Sequence, residues 1–312
     1  TRSYAMKQFK NPQSAQLHER FKREIKLQGK SPSTIDSYAR SLKRLLTYFD
    51  CHPNELTKDD LKLYFSDLVT SRSWSTVKVD RWGLRLFWER ILGKKWNWPD
   101  IVKPPRVKTL PDILTIDEVD RIMVALEKLR YHVCLFTIYS LGLRLTEGTT
   151  LKVSDIDSAR MMVHIRNAKG NKDRMVPLPK QTLYLLRRYW VTHQNPNLLF
   201  PAVQFGPAKK KYTKKPMDKG GVQTAFKLAT GDCNIHKKAT VHTLRHSYAT
   251  HLVEAGVNLR LIQEYLGHSN PNTTVIYARL SKPSLDNSEK LIQKLMDRFQ
   301  FPRDKRLHQV DS

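Results

Sequence analysis

The chain has 312 residues and sets 55 lysines and arginines against 29 acids, a net charge of +26. That length exceeds the usual single domain, so two domains with separate cores are expected. So large a one-signed charge points to a polyanionic partner, nucleic acid first, rather than to solubility alone.

Three scattered cysteines, Cys51, Cys134 and Cys233, are too few for a disulfide framework, and no apolar run reaches membrane-spanning length. Thr1 to Lys10 holds no signal-peptide core. The expectation is a cytoplasmic, nucleoid-associated protein of a bacterium.

From about Ser14 onward the apolar spacing is helical. Ile35, Tyr38, Leu42, Leu45 and Phe49 step by three and four after Ser31-Pro32, which predicts a helix burying one stripe. Thr57 with Asp60 three residues later caps a second helix carrying Leu61, Tyr64, Phe65 and Leu68, and Val79, Trp82 and Leu86 mark another. These make a small helical bundle over 14–102. The run KPPRVK follows, where two prolines oppose helix and Lys103, Arg106 and Lys108 suit an extended linker (103–112) lying along a phosphate backbone.

Thr115 and Glu118 form a capping box, with Leu114 and Val119 as its hydrophobic staple, so a fresh helix opens the second domain. Met161 to Arg166 and Arg174 to Pro179 predict a β-hairpin around the polar turn Asn167 to Asp173. Everything after it reads helical: Val222 to Thr230, Thr243 to Ala255 ended by Gly256, and Asn258 to Leu266 ended by Gly267. The fold class is therefore mainly α with a small antiparallel sheet. Gly206 to Lys219 has six lysines and no apolar period, a solvated loop that also suits DNA contact, with Lys209, Lys210 and Lys211 at its centre. Ser284 to Phe299 carries Leu291, Ile292, Leu295, Met296 and Phe299 on one stripe, and a polar tail, 301–312, follows.

Chemistry-bearing residues concentrate in the second half. Val241-His242-Thr243-Leu244-Arg245 is followed by Leu266-Gly267-His268 and then by Thr274-Val275-Ile276-Tyr277, while Gly142-Leu143-Arg144-Leu145-Thr146-Glu147 lies upstream. His242 and Arg245 are three apart, nearly on one helix face, so one helix can offer both groups to a single anion. Singly, such residues are more often core or surface. Their joint occurrence in this order resembles the signature of the tyrosine recombinase (phage integrase) family, of the Xer-like or mobile-element kind, over roughly Ile113 to Arg279. Thr149 and Thr150 depart from the pattern, standing where apolar residues are usual.

The resemblance implies a site-specific recombinase that cuts and rejoins DNA through a covalent 3′-phosphotyrosine link at Tyr277. Arg144 and Arg245 match the family's phosphate-binding arginines, His242 its general acid/base and His268 its second histidine. Lys169, ahead of Lys172 in the turn of the hairpin, matches the lysine that protonates the departing 5′-oxygen, and Glu147 the acidic position that orients neighbouring cations. His246 and His251 have no part in that chemistry. The resemblance further implies a two-domain C-shaped clamp: domain 14–102 on the core DNA, catalytic domain 113–283 and docking helix 284–300. It implies a dimer on one double-stranded recombination site and a tetramer on two.

No metal and no cofactor are expected. Cys233-x2-His236 with His242-x3-His246 imitates zinc spacing, but that arrangement would consume His242. Two other readings are a type IB topoisomerase, which shares the phosphotyrosine chemistry, and a DNA-binding regulator that keeps only the fold; the complete Arg-Lys-His-Arg-His-Tyr set argues against the latter.

Overall fold

The computed structural model describes residues 12–49, 51–96, 102–103, 105, 112–168, 172–202, 212–267 and 285–299. The chain divides into two compact units, 1–109 and 110–312, each with its own apolar core.

The first unit is a helical bundle: α1 Pro12–Leu27, α2 Pro32–Tyr48, α3 Lys58–Ser71 and α4 Trp74–Arg90. Its starts follow from side-chain caps. Ser31 accepts from the Thr34 N–H with Pro32 at the first turn, Thr57 and Asp60 close a capping box, and Ser73 accepts from Thr76 N–H. Phe21, Ile25, Leu42, Leu45, Leu61, Phe65, Leu84 and Phe87 fill the core.

Of the residues that mark helix α4, Leu86 packs against the core but Trp82 turns outward. The inner face of the helix is Val77, Asp80, Leu84, Phe87 and Trp88, and Trp82 is 57% exposed, with the Arg85 guanidinium over its ring. Asp80 is fully buried and accepts from Ser41 Oγ at 2.8 Å, Arg44 Nε at 2.9 Å and Tyr64 Oη at 3.1 Å, tying α2, α3 and α4 together. A buried carboxylate is tolerated only when so completely partnered.

The second unit opens with α5 Ile116–Val124, capped by the Thr115/Glu118 box, with Leu114 and Val119 buried beside it. Then come the central α6 Leu129–Ser140, the one-turn α7 Leu145–Thr149, and an antiparallel sheet in the order β1 Ile156–Asp157, β2 Met162–Ala168, β3 Lys172–Pro177. The strands run two residues further into the turn than the sequence signal, β3 ends two residues sooner, and the short β1 joins at the edge. Helices α8 Lys180–Val191, α9 Lys219–Asp232, α10 Val241–Glu254, α11 Leu259–Leu266 and α12 Leu285–Met296 complete the unit.

Nine residues of α6 in succession, His132 to Ser140, are buried, so this helix is the axis about which the others pack. Such an all-round buried segment has no amphipathic period to read. Helix α12 docks on its own chain. Ile292, Leu295, Met296 and Phe299 are buried in the unit's core, Phe299 meets the rings of Phe136 and Tyr139 edge-on, and Gln293 Oε1 accepts from the Lys180 N–H at 3.0 Å.

The segment entering this unit is clasped by α10. Leu114 N–H donates to Ser247 Oγ at 2.9 Å, and its carbonyl accepts from His251 Nε2 at 2.9 Å. With Nε2 carrying the proton, His251 Nδ1 accepts from Tyr139 Oη at 2.8 Å, so one neutral tautomer satisfies both contacts. Burial lowers the His251 pKa below its ordinary value, in keeping with that tautomer. Among the described residues no helix is long and apolar enough to cross a membrane.

Candidate active site

Two left-handed glycines build the floor of the site. Gly142 (φ +59°) terminates α6, with the Leu143 N–H donating to Ile138 O, a Schellman end that turns the chain sharply and leaves Arg144 at the start of α7. Gly267 (φ +62°) is the left-handed residue that ends α11, its N–H donating to Glu264 O. A Cβ on Gly142 would stand 2.7 Å from both Leu266 and Tyr248 side-chain carbons, so the two turns abut and only glycine fits there.

Arg245 projects from α10 into this junction. It is 2% exposed and donates through Nη1 to Gly142 O at 2.7 Å and through Nη2 to Leu266 O, so one guanidinium staples the two turns. Desolvation, with the nearby charge of Arg144, pushes its pKa down to about 9, which still leaves it cationic at neutral pH. Arg144 lies beside it with its side chain 25% exposed, donating through Nη1 to Glu147 Oε1 at 2.7 Å and through Nη2 to Gly267 O at 3.4 Å.

Glu147 is the hub of this cluster. Its carboxylate takes the Arg144 backbone N–H at 2.8 Å, which caps α7, and a bidentate pair from Arg174 at 3.0 and 2.8 Å. Burial alone would raise this carboxyl, but the hydrogen bonds and charges of Arg174 and Arg144 outweigh it and hold it at about 2. Arg174 also donates through Nε to Tyr265 O at 2.6 Å. Three guanidiniums against one carboxylate leave two net positive charges in one largely buried cluster. That is a site for an anion, and Arg144 is its most open cation.

His242 lies one turn ahead of Arg245 on α10. Desolvation and the charges of Arg245 and Arg144 lower its pKa below the ordinary value of 6.5, so its imidazole is neutral and able to accept a proton at pH 7. Its ring meets that of His246 edge-on at 4.6 Å. Burial first, then His242 and Arg245, push His246 down to about 4. Thr149, polar where an apolar residue is usual, is buried with its hydroxyl donating to Leu145 O at 3.0 Å, which removes the penalty of its position.

The structure thus brings together Arg144, Glu147, His242 and Arg245. Lys169, His268, Tyr277, Arg106, Lys108 and Lys209 to Lys211 lie outside the described residues; Lys172 opens β3, and Lys103 is exposed. Arg174 is the member that reading the sequence missed. Strand alternation would have found it, because Arg174 shares the inward face with Val176, and a cation on an inward face calls for a partner.

Residues 112–283 match the phage integrase family, and residues 17–98 match the phage integrase N-terminal SAM-like domain. Tyrosine recombinase XerA of Pyrococcus horikoshii is 30% identical over 282 residues, which cover 90% of this chain and 94% of that protein. A putative integrase/recombinase of Sinorhizobium fredii is 32% identical over 268 residues, 85% of this chain and 84% of that protein. The solved structure of the XerH site-specific recombinase bound to a palindromic difH substrate, a post-cleavage complex, is similar in fold, with a TM-score of 0.66 at 23% identity over 85% of this chain and 80% of that one.

Proposed function

The chain belongs to the phage integrase family and is a tyrosine-type site-specific recombinase, and from that premise we propose that it cuts and rejoins double-stranded DNA through a 3′-phosphotyrosine intermediate at Tyr277, without metal or ATP. The observation that carries the reading is the gathering of Arg144 and Arg245 beside a neutral His242 in a cluster of net positive charge.

In the proposed step the Tyr277 oxygen attacks the backbone phosphorus and His242 accepts the phenol proton. The bond from phosphorus to the 5′-oxygen breaks, and Lys169 protonates that oxygen as it leaves. One phosphate ester replaces another, so the reverse attack by a 5′-hydroxyl reseals the strand with no outside energy source. Charge gathers on the non-bridging oxygens at the transition state, where the forked donors of Arg144 and Arg245, with His268, stabilise it. Two guanidiniums suit this task because their planar forks match two oxygens at once.

We assign 14–102 to the core DNA, 103–112 to a linker, 113–283 to catalysis and 284–300 to docking. Lys103, Arg106, Lys108, Lys172 and Lys209 to Lys211 are assigned to phosphate contacts, in keeping with the +26 charge. The working assembly is a dimer on one site and a tetramer on two.

The test is covalent capture. A pool of nicked duplexes with randomised centres, in which the short strand beyond the cut diffuses away, is incubated with the protein and resolved on a denaturing gel. The unaltered chain is expected to give protein–DNA adducts from a narrow set of sequences, and Tyr277→Phe to bind the recovered duplex yet give none. Adducts that persist with Tyr277→Phe would refute the assignment of the nucleophile.

A further inference from the structure

Arg174 turns three of its five N–H groups onto two acceptors. Nη1 and Nη2 reach the two oxygens of Glu147 at 3.0 and 2.8 Å, and Nε reaches Tyr265 O at 2.6 Å. Its side chain is 7% exposed and that of Glu147 8%. So buried, Arg174 is no surface contact for DNA. Its consequence lies in what Glu147 would do without it.

Glu147 is an anion buried among three cations. Its Oε1 already accepts from Arg144 Nη1 at 2.7 Å, and its Oε2 stands 3.9 Å from Arg245 Nη1. Left with only those neighbours, a buried carboxylate turns fully onto them, because an uncompensated charge in such a place is costly. It would then occupy the donors that a phosphate needs and cancel the positive charge that attracts it.

The fork of Arg174 satisfies one lone pair on each Glu147 oxygen and holds the carboxylate plane in place. Glu147 can then orient Arg144 through its backbone N–H and one Nη1 bond without neutralising the pair. The same guanidinium packs beneath Gly267, where an added Cβ would come within 3.1 Å of the Arg174 side chain, so the end of α11 is registered against β3.

We propose that Arg174 is a positioning residue for strand cleavage, a buried counter-cation that detains Glu147 so that the free donors of Arg144, and the positive charge it shares with the buried Arg245, stay available to a phosphate. The proposal rests on the reading of those two arginines as phosphate ligands. A purely structural ion pair would lower the urea midpoint in step with cleavage, whereas detention predicts that cleavage falls much further than the folded fraction. Detention also predicts suppression, since removing the Glu147 charge removes what Arg174 restrains.

The experiment measures single-turnover adduct formation and, separately, equilibrium affinity for a duplex recovered in the capture described above. Arg174→Met is expected to slow cleavage by about 100-fold, the scale of a misplaced catalytic group, while affinity changes little. The double variant Arg174→Met/Glu147→Gln is expected to regain about tenfold or more over Arg174→Met alone. Arg174→Lys, which keeps the charge but not the fork, is expected to fall between the unaltered chain and Arg174→Met, and it serves if the methionine variant does not fold. A double variant slower than either single one overturns the proposal, as does unchanged cleavage in Arg174→Met.

If the unaltered chain forms no adduct, the phosphotyrosine reading fails on its own, and inorganic phosphate decides the positioning claim. Titration followed through the guanidinium resonances of Arg144 and Arg245 should show binding weakened in Arg174→Met and regained in the double variant. Equal phosphate affinity in all three proteins overturns it.

Discussion

At the scale of single residues, the two arginines assigned to the phosphate differ in what they do for the fold. Arg245 is buried and donates to the carbonyls of Gly142 and Leu266, whereas Arg144 is partly exposed and shares its acceptor Glu147 with Arg174. Arg245→Ala strands two buried carbonyls at about 1–3 kcal/mol each, so its urea midpoint should drop clearly. Arg144→Ala should unfold close to the unaltered chain while cleavage falls by about 10²–10³-fold, the scale of a lost oxyanion donor. Equal midpoints for the two variants would contradict this division. The resemblance to the family's motifs made Arg144, His242 and Arg245 legible as candidates, and the three-residue spacing put the last two on one helix face. Neither revealed that Arg245 also holds two turns together, because those carbonyls lie 103 and 21 residues away in the chain.

At the scale of elements, the site depends on how α6 and α11 end. Gly142→Ala places a methyl against Leu266 and Tyr248 and forces an L-residue into the left-handed region. Overpacking of about 1–3 kcal/mol adds to a conformational cost of about 1–2 kcal/mol, and the acceptor of Arg245 shifts with the turn. A fall in melting temperature together with a loss of cleavage is expected; a normal melt would count against the packing of the two turns.

Elements with a one-sided apolar stripe or a side-chain cap were readable, as α2, α3, α5 and α11 show. Helix α6 was not, since a helix buried all round has no period. Helix α4 was readable as a helix, but not its inward carboxylate, Asp80, whose partners Ser41, Arg44 and Tyr64 come from two other helices. Strand alternation puts Arg174 on the inward face, yet it was missed, because a buried arginine becomes meaningful only once Glu147 is seen opposite it.

At the scale of the whole molecule, charge and protonation set the working conditions. His18, His132, His242, His246 and His251 all have pKa values lowered below 6.5, burial being the largest cause in each. As pH falls through 6.5 the unfolded chain takes up protons that the folded one refuses, so the stability these groups contribute is full above 6.5 and is lost on acidification, down to about pH 4 for His246. Urea midpoints measured from pH 7.5 to 4.5 should decline, and a flat profile would contradict the buried neutral histidines. The central claim is that the phenol of Tyr277 carries the DNA. Protease digestion of a trapped adduct, followed by mass spectrometry of the nucleotide-bearing peptide, tests it most directly. A single peptide spanning Thr274 to Arg279 with a 3′-phosphate linked to Tyr277 is expected; a nucleotide on any other side chain, or a 5′ linkage, would contradict this.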